Sequence, residues 1–458
     1  MFKLSSRHFD IETAFLYGTL EEEIYMIFPD GYEKYLRDKG MNYSEQDYCL
    51  LLTRALYGLV QAARQWWKKI TEVFAKLDFH PTQADPCLFV KKVKPNEPPA
   101  FIILYVDDGG IIGTPQVIQD VLNALAKEFK IKDLGEMVHF VGCHLRESAD
   151  KKTIWIHQPN LIKHLRKEFK DLIITERVFR TPAAPKTVIM RPDENDPVIS
   201  STDQTKYRSG VGMLLYLVKH SRPDLSNSVR ELTKVLDRAT QAHWKAMMRV
   251  IKYVLDTRQC ALKLQPKIME GSNEKYYLEG ISDSEFAGDR ETRVSVYGYA
   301  TFFCGALISW KSKSSKSVTL SSTEAEYFAS SEAAKELMFI HNLLIGMSVI
   351  KDVKLPLVLR VDNTGAIYLA NNHTTSPRTK HIDIRAHYVR QLIDRGILKI
   401  VFVKSEDNDA DIYTKNVSEE LFNKDVDKNV TCLSEVNEQG YFVIEEEPDD
   451  EDFILMIK

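Results

Sequence analysis

The sequence has no long apolar run, and this absence narrows the class of protein. The longest purely apolar runs are strand-sized, such as Ile102–Leu104, whereas a membrane-spanning helix needs about 20 apolar residues. The N-terminal residues MFKLSSRHFD contain no apolar core of signal-peptide length. We therefore expect no membrane partner and a location in the cytoplasm or the nucleus.

The sequence also lacks paired cysteines. Its six cysteines are scattered along 458 residues without a CxxC pair, which disfavours a disulfide framework or a zinc knuckle and fits free thiols in a reducing compartment. The net charge is −4, but 13 acidic against three basic residues from Ser418 onward leave residues 1–417 with +6. A modestly basic body is compatible with contacts to phosphates.

The order of sequence patterns predicts a multidomain α/β protein. Residues 1–180 alternate strand-like and helix-like stretches, including a hairpin whose tight turn we place at Gly109-Gly110. Four prolines indicate a linker over Thr181–Asp203. From about residue 276, five strands interleaved with helices predict a further α/β domain. Its predicted elements include the strands Val296–Phe303 and Leu357–Val361 and the long helix Thr323–Met347. The acidic segment from Ser418 is expected to be mobile.

Three aspartates form a first group of candidate metal ligands. Asp107 and Asp108 lie at the turn of the predicted hairpin, and Asp10 ends a short strand. Adjacent aspartates in a turn usually reflect turn chemistry alone. If the strand of Asp10 lies beside the hairpin, the three carboxylates converge and either shift their pKa values or hold a cation. Oxygen ligands favour Mg²⁺ or Mn²⁺, and two such ions about 4 Å apart promote phosphoryl transfer.

A second group of acids follows the same logic. Asp283 and Asp362 end predicted strands, Glu326 lies on a long predicted helix, and Asp411 follows the last strand. Singly, each is a common surface or capping acid, and Asp362 is a candidate helix N-cap. Carboxylates at the strand ends of one α/β sheet can instead converge on a metal site.

The segments around these acids resemble a known family in their order and spacing. The first set is FDIETAFLYGTLEEEIYM, LTRALYGLVQAARQWW, DPCLFV, LYVDDGGIIG and KDLGEMVHFVGCHL, and it resembles the reverse transcriptases of copia-type (LTR) retrotransposon Pol polyproteins. The second set is SDSEFAGD, SWKSKSSKSVTLSSTEAEYFASSEAAKE, VDNTGAI, RTKHIDIRAHYVR and EDNDADIYTK, and it resembles the ribonuclease H domain of the same polyproteins.

The resemblance implies a fold, a set of domains, cofactors and partners. The fold class is α/β, with an α+β palm followed by a ribonuclease H-like α/β domain. The implied domains are a palm (1–180), a linker with helical thumb or connection (181–275), the ribonuclease H-like domain (276–417) and the acidic tail (418–458). Two Mg²⁺ or Mn²⁺ ions are implied for each active site. The implied partners are an RNA template, a DNA primer, RNA–DNA hybrids and deoxynucleoside triphosphates.

The resemblance also assigns roles to single residues. It implies that Asp10, Asp107, Asp108, Asp283, Glu326, Asp362 and Asp411 are the catalytic metal ligands. Phe15 resembles the aromatic gate against a 2′-hydroxyl, although a core aromatic would give the same pattern. Gln61 resembles the glutamine that positions the incoming nucleotide and the template. Lys311, Lys313, Lys380 and His381 are candidate contacts to the nucleic acid, with a solvated charge run and a structural histidine as the alternatives.

Several positions depart from the family pattern. A basic residue is usual where Glu12 stands, a bulky apolar residue where Gly109 stands, and proline where Asp409 stands. Only nine residues precede Asp10, so we expect most of the fingers region to be missing and polymerisation to be impaired. The alternatives are an inactive remnant or a repurposed binding protein, and an intermediate case in which only hydrolysis survives.

Overall fold

A computed structural model describes residues 4–91, 97–173, 176–267, 276–316, 318–347, 353–372 and 383–433, with the backbone alone at 383–387 and 432. The chain divides into two compact units. The first is Met1–Val141 with Met338–Asp352, and the second is Gly142–Leu337 with Val353–Lys458. The division into four domains that the family resemblance implies stays a prediction, because these two compact units do not test it.

The strands of the first unit are β1 Ser5–Ile11, β2 Thr19–Met26, β3 Leu50–Arg54, β4 Phe79–Pro81, β5 Leu88–Lys91, β6 Phe101–Tyr105, β7 Asp108–Gly113, β8 Ile131–Gly135 and β9 His139–Phe140. Six of them form an antiparallel sheet in the order β4-β5-β6-β7-β1-β8, and β2 and β3 form a separate antiparallel ribbon. Its helices are α1 Tyr32–Asp38, α2 Ala62–Ala75 and α3 Pro115–Glu128.

Two helices complete the core of the first unit. In α2, Trp66, Ile70 and Phe74 recur every four residues and are buried, so that the helix presents one apolar stripe. Helix α3 begins at a defined cap, because the Thr114 side chain accepts a hydrogen bond from the Val117 backbone N–H. Both helices share one hydrophobic cluster with the sheet, which fixes strand β1 and the β6–β7 hairpin on a packed support.

The second unit contains two groups of strands. Its strands are β10 Cys143–Glu147, β11 Ile154–His157, β12 Cys260–Leu264, β13 Leu278–Glu285, β14 Val296–Phe303, β15 Ala306–Ser314, β16 Leu357–Val361, β17 Leu398–Phe402 and β18 Val430–Cys432. Its helices are α4 Pro159–Phe169, α5 Ser201–His220, α6 Ser226–Thr233, α7 Gln241–Asp256, α8 Ser322–Gly346, α9 Thr364–Asn371, α10 Asp383–Asp394, α11 Asp411–Thr414 and α12 Glu419–Asn429. The part of α8 from Met338 is counted with the first unit.

The larger sheet of the second unit has the order β15-β14-β13-β16-β17. Strands β13 to β15 form an antiparallel meander, whereas β13, β16 and β17 are parallel neighbours. Helix α8 connects β15 to β16, and α9 and α10 connect β16 to β17. Because parallel strands end at the same edge, the residues that follow them are brought together. The predicted mixed α/β, multidomain fold class is confirmed.

The proline-rich segment predicted as a linker is irregular but packed. It has no helix or strand up to Ser200, which caps α5. Ile189 is only 7% exposed, and its backbone N–H donates to Glu231 Oε2 at 2.6 Å. The segment is therefore part of the core of the second unit and not a free spacer.

The prediction of a mobile acidic tail from Ser418 onward needs correction. Ser418 caps α12 through a hydrogen bond from the Leu421 N–H, and β18 then pairs with β12. Phe422 and Val426 are buried because they lie on one face of α12, four residues apart. The expectation of a mobile tail is wrong for residues 418–433, and the rest of it lies outside the described residues.

Two absences hold for the described ranges. No helix there combines the length and the apolar character needed to cross a bilayer. The five cysteines with described side chains are free thiols.

Candidate metal centre

Three aspartates meet at one edge of the larger sheet in the second unit. Asp283 lies in β13 and Asp362 directly follows β16. The register of Ile281 with Arg360, continued by two residues, sets these aspartates side by side. Asp411 opens α11, and one carboxylate oxygen from each of the three lies within 4.8 Å of the others. The structure thus brings together acids that are far apart in sequence.

Glu326 on α8 is the fourth predicted acid of this cluster. Its Oε1 accepts hydrogen bonds from the Ser284 backbone N–H at 3.0 Å and from the Ser284 hydroxyl at 2.9 Å. Its Oε2 is buried and has no hydrogen-bond partner among the described residues. A buried carboxylate oxygen without a partner is costly, so this atom needs a proton or a cation.

Burial and mutual repulsion act on the pKa values of these acids. Burial raises the pKa of Glu326 to about 9, and the charges of Asp283 and Asp362 add to the effect. Burial likewise raises the pKa of Asp411 to about 7, with Asp283 adding and Lys415 opposing. Burial also raises the pKa of Asp283. A divalent cation would remove the same penalties that protonation removes.

Neighbouring side chains hold the acids in place. The Thr414 hydroxyl donates to Asp283 Oδ2, and the Ser405 hydroxyl donates to Asp362 Oδ2 at 2.8 Å. Lys415 Nζ lies 2.9 Å from Asp411 Oδ1 and 3.8 Å from Asp283 Oδ2.

Asp362 is free for this site because it is not the cap of α9. That role falls to Asn363, whose side chain accepts from the Ala366 N–H at 2.9 Å. The interpretation of Asp362 as a simple helix N-cap is wrong. With oxygen ligands alone and several acids at one point, the donor set fits Mg²⁺ or Mn²⁺.

The first cluster in the first unit is arranged differently. Asp10 and Asp108 are partners across β1 and β7, and Asp107 lies in the turn before β7. Burial raises the pKa of Asp10, with Asp107 adding, and burial also raises the pKa of Asp107. Asp108 instead contacts His8 Nε2 through its Oδ1. Within the described part of the chain, only Asp283, Asp362 and Asp411 bring three acidic, histidine or cysteine ligand atoms within 4.8 Å.

The hairpin turn lies at Val106 and Asp107, not at Gly109-Gly110 as the sequence suggested. Tyr105 pairs with Asp108, and both glycines are inside β7. Val106 has a φ of 60°, which is strained for a β-branched residue. The Trp66 indole N–H donates to the Val106 carbonyl oxygen at 2.5 Å and supports this conformation.

Gly109 is required by the packing of Phe9. A Cβ at position 109 would lie 2.1 Å from Phe9 Cζ, and Phe9 is fully buried. The ring of Phe9 therefore occupies the volume of a side chain at 109. The family usually has a bulky apolar residue at this position. Here the Phe9 ring from the neighbouring strand fills that space.

Glu12 also finds compensation in the structure. It contacts Lys130 Nζ, and Lys132 Nζ lies 3.6 Å from its Oε1. The hydrogen bond from Lys130 lowers the pKa of Glu12. The negative charge where the family usually has a basic residue is thus balanced by two lysines.

Phe15 lies just after β1 in a 3-10 turn, Ala14–Tyr17, and is partly buried against the core of the first unit. Its ring centroid is 4.7 Å from that of Tyr57, so a packing role is present whatever else Phe15 does. Gln61 precedes α2, and its Nε2 donates to Glu22 Oε2 at 3.3 Å.

The predicted basic contacts fall into two groups. Lys311 and Lys313 are exposed on β15, while Ser312 and Ser314 between and beyond them accept hydrogen bonds from Arg230. The two lysines therefore share the outward face of the strand. Lys380 and His381 lie outside the described residues.

Sequence reasoning missed three residues at these clusters. His8 precedes Asp10 by two residues in a strand and so shares its face. Lys415 follows Asp411 by four residues, the spacing of a helical ion pair. No sequence pattern pointed to Tyr57. Burial raises the pKa of Tyr57, and the charges of Asp107 and Asp10 raise it further.

Comparisons with known proteins give a consistent result. Residues 4–180 match the family described as reverse transcriptase (RNA-dependent DNA polymerase). The chain is 32% identical over 424 residues to the retrovirus-related Pol polyprotein from transposon TNT 1-94 of Nicotiana tabacum, which covers 92% of this chain and 30% of that protein. It is 32% identical over 420 residues to the corresponding polyprotein from transposon RE1 of Arabidopsis thaliana, covering 91% of this chain and 27% of that protein.

The chain thus spans less than a third of the length of these relatives. Among solved structures, the ribonuclease H1 of the halophilic archaeon Halobacterium salinarum NRC-1 is similar, with 14% sequence identity and a TM-score of 0.23. That similarity covers 31% of this chain and 95% of the other.

Proposed function

The chain belongs to the Pol polyproteins of copia-type retrotransposons, and on this premise we propose that it is their reverse transcriptase and ribonuclease H region and has two metal-dependent activities. The first cuts the RNA strand of an RNA–DNA hybrid. The second extends a DNA primer on an RNA template with deoxynucleoside triphosphates. The observation that carries the proposal is the convergence of Asp283, Asp362 and Asp411 on one point of the sheet.

Hydrolysis is assigned to the cluster in the second unit. Asp283, Glu326, Asp362 and Asp411 would hold two Mg²⁺ or Mn²⁺ ions. When bound, such ions activate a water molecule and stabilise the leaving oxygen of the phosphodiester. The chain's own residues orient the ligands, since Ser284 fixes one oxygen of Glu326 and leaves the other unpaired. Lys311 and Lys313 on the outward face of β15 contact phosphates, which sets affinity without reading sequence.

Polymerisation is assigned to the cluster in the first unit. Asp10, Asp107 and Asp108 would hold the metal ions there, and Asp108 must leave His8 to do so. Phe15, fixed by its contact with Tyr57, excludes a 2′-hydroxyl from the nucleotide site. Gln61 contacts the incoming nucleotide and the template after giving up Glu22.

The test is a pair of assays on the same preparation. With Mg²⁺, the wild-type chain should cut a labelled RNA–DNA hybrid and extend a DNA primer on an RNA template. Asp283→Asn should abolish cutting, and Asp107→Asn should abolish extension. Two acids outside the clusters provide the matched controls: the partly exposed Glu332 on α8 is changed in Glu332→Gln, and the exposed Asp120 on α3 is changed in Asp120→Asn.

The outcomes separate the readings. Equal cutting by the wild type and Asp283→Asn would refute the hydrolytic assignment. Cutting without extension would restrict the function to hydrolysis. Binding of the hybrid with neither reaction would identify a repurposed nucleic-acid-binding protein.

A further inference from the structure

The segment 404–410, which we call the ligand loop, connects β17 to Asp411 and contacts two other parts of the metal centre. Its Ser405 hydroxyl donates to Asp362 Oδ2 at 2.8 Å. Its Asn408 is buried, and the side-chain amide donates to the Ser282 carbonyl oxygen, next to Asp283, at 3.3 Å. The position of this loop therefore sets the geometry of three ligands at once.

Helix α12 holds the outer side of the ligand loop with two lysines. Lys424 Nζ donates to the Glu406 carbonyl oxygen at 2.6 Å and lies 3.0 Å from Asp407 Oδ1. One turn later, Lys428 Nζ donates to Asp409 Oδ1 at 2.5 Å. The side chain of Asp409 is only 14% exposed, so its charge is poorly screened by water.

Electrostatics explains why the loop needs these contacts. The ligand loop carries Glu406, Asp407 and Asp409 and leads directly into Asp411 of the candidate metal centre. Three like charges within four residues repel one another, and the burial of Asp409 strengthens that repulsion. Two ammonium groups on the outer side neutralise part of that charge and oppose an outward movement of the loop.

We propose that α12 is a positioning element of the metal centre and that Lys424 and Lys428 act through the ligand loop to hold Asp411 in place for the metal ions. The proposal rests on the hydrolytic function proposed above. The lysines touch neither substrate nor metal, so they are positioning residues and not catalytic residues.

Stability and metal affinity should respond differently to loss of the lysines. The pairs are partly exposed, with Lys424 at 41% and Lys428 at 44%, and such ion pairs contribute little to stability. Groups that orient metal ligands from behind change metal affinity by about 10–100-fold. A merely structural pair would leave the affinity unchanged.

The experiment measures Mn²⁺ binding by titration calorimetry on the full chain carrying Asp107→Asn, which removes a ligand of the first cluster. In this background, Lys424→Met with Lys428→Met should raise the dissociation constant about tenfold and shift the Tm only slightly. Lys428→Arg alone keeps the positive charge, so this variant should bind Mn²⁺ as tightly as the starting protein. The single variant Lys424→Met tests the same idea if the double variant does not fold. The control is Lys335→Met, which removes a surface pair on α8.

The readouts keep the two proposals apart. The positioning role of α12 would be overturned if the dissociation constant stayed within about twofold of the starting value in both Lys424→Met and the double variant. It would also be overturned if Asp411→Asn did not weaken Mn²⁺ binding, or if no Mn²⁺ binding were found. Weaker Mn²⁺ binding in the lysine variants supports the positioning role of α12 even if the wild type cuts no hybrid. A wild type that cuts no hybrid would refute only the hydrolytic function.

Discussion

The two carboxylate clusters differ in the scaffold that supports them. The cluster in the second unit takes its ligands from adjacent parallel strands, a helix and a loop, and it gathers three carboxylates within 4.8 Å. The cluster in the first unit sits on one antiparallel strand pair and its turn, and one of its aspartates contacts His8. Strand ends of a parallel sheet impose convergence through the backbone, whereas a hairpin leaves the final approach to side chains. The comparison teaches that the backbone already gathers the acids of the second cluster, whereas the first cluster would need a side-chain rearrangement at Asp108 to bind a metal ion with all three aspartates.

The largest expected effect tests whether the two clusters work independently. Asp411→Asn should lower hybrid cutting by at least about 100-fold, since one metal ligand contributes several kcal/mol to the transition state. Primer extension should stay within about twofold of the wild type. Asp10→Asn should give the reverse pattern in the same two assays. A single substitution that silences both reactions would break the comparison.

The next effect concerns the packing below the first cluster. Gly109→Ala should destabilise the protein by about 1–3 kcal/mol, the usual cost of overpacking a core, because the new methyl group meets the Phe9 ring. Urea unfolding measures the change. Phe9→Leu should relieve part of it in the double variant. Gly110→Ala is the matched control, since the only close contact of its methyl group is with the flexible Met137 side chain, and Phe140 lies at 4.0 Å. Equal losses at both positions would contradict this account of the packing.

A third effect follows from the raised pKa values of the second cluster without metal. Because the pKa is about 9 for Glu326 and about 7 for Asp411, the folded chain keeps protons that the unfolded chain loses near pH 4. Stability should therefore fall as pH rises from about 5 to 9 and level off above that. In EDTA, Glu326→Gln should raise the Tm at pH 9 by about 2–4 °C, with little change at pH 5.

Scanning calorimetry at several pH values with and without Mg²⁺ checks this prediction. Added Mg²⁺ should remove most of the loss at high pH in the wild type but not in Glu326→Gln. Stability of the metal-free wild type that rises through the same pH window would show that the cluster is not desolvated as described.

The smallest expected effect sharpens the contrast at Asp108. His8→Leu removes the contact with Asp108 while keeping a similar volume, so Asp108 becomes free to join Asp10 and Asp107. In the Asp283→Asn background, the dissociation constant for Mn²⁺ should fall about threefold. The corresponding change in binding free energy is smaller than the roughly 1 kcal/mol that a typical hydrogen bond contributes. Weaker Mn²⁺ binding would mean that His8 orients Asp108 for the metal instead of withholding it.

Much of the fold follows from local sequence patterns. The predicted strands Val296–Phe303 and Leu357–Val361 agree with β14 and β16, and the predicted helix Thr323–Met347 agrees with α8 within one residue. These elements are rich in apolar residues that the fold buries, so that local composition and tertiary burial favour the same structure.

The misses come from long-range packing. Gly109-Gly110 has the composition of a turn, but the Phe9 ring on a neighbouring strand is what requires the glycine. The segment after Ser418 has the composition of a disordered tail, but burial of Phe422 and Val426 outweighs its charge. The acids of the candidate metal centre were named from the resemblance, and their role as metal ligands stays a prediction. Their contacts with Ser284 and with the loop that the α12 lysines hold depend on tertiary packing that no local pattern encodes.

The parallel arrangement of β13 and β16 also has a consequence for how the protein acquires its activity. Asp283 and Asp362 are roughly 80 residues apart in the chain, and they meet only when those strands pair. Such a non-local closure is slow and comes late in folding. A divalent ion that binds only the assembled cluster withdraws finished molecules from the folding equilibrium. If the cluster holds a divalent ion as proposed, that ion would stabilise the folded chain only after β13 and β16 have paired.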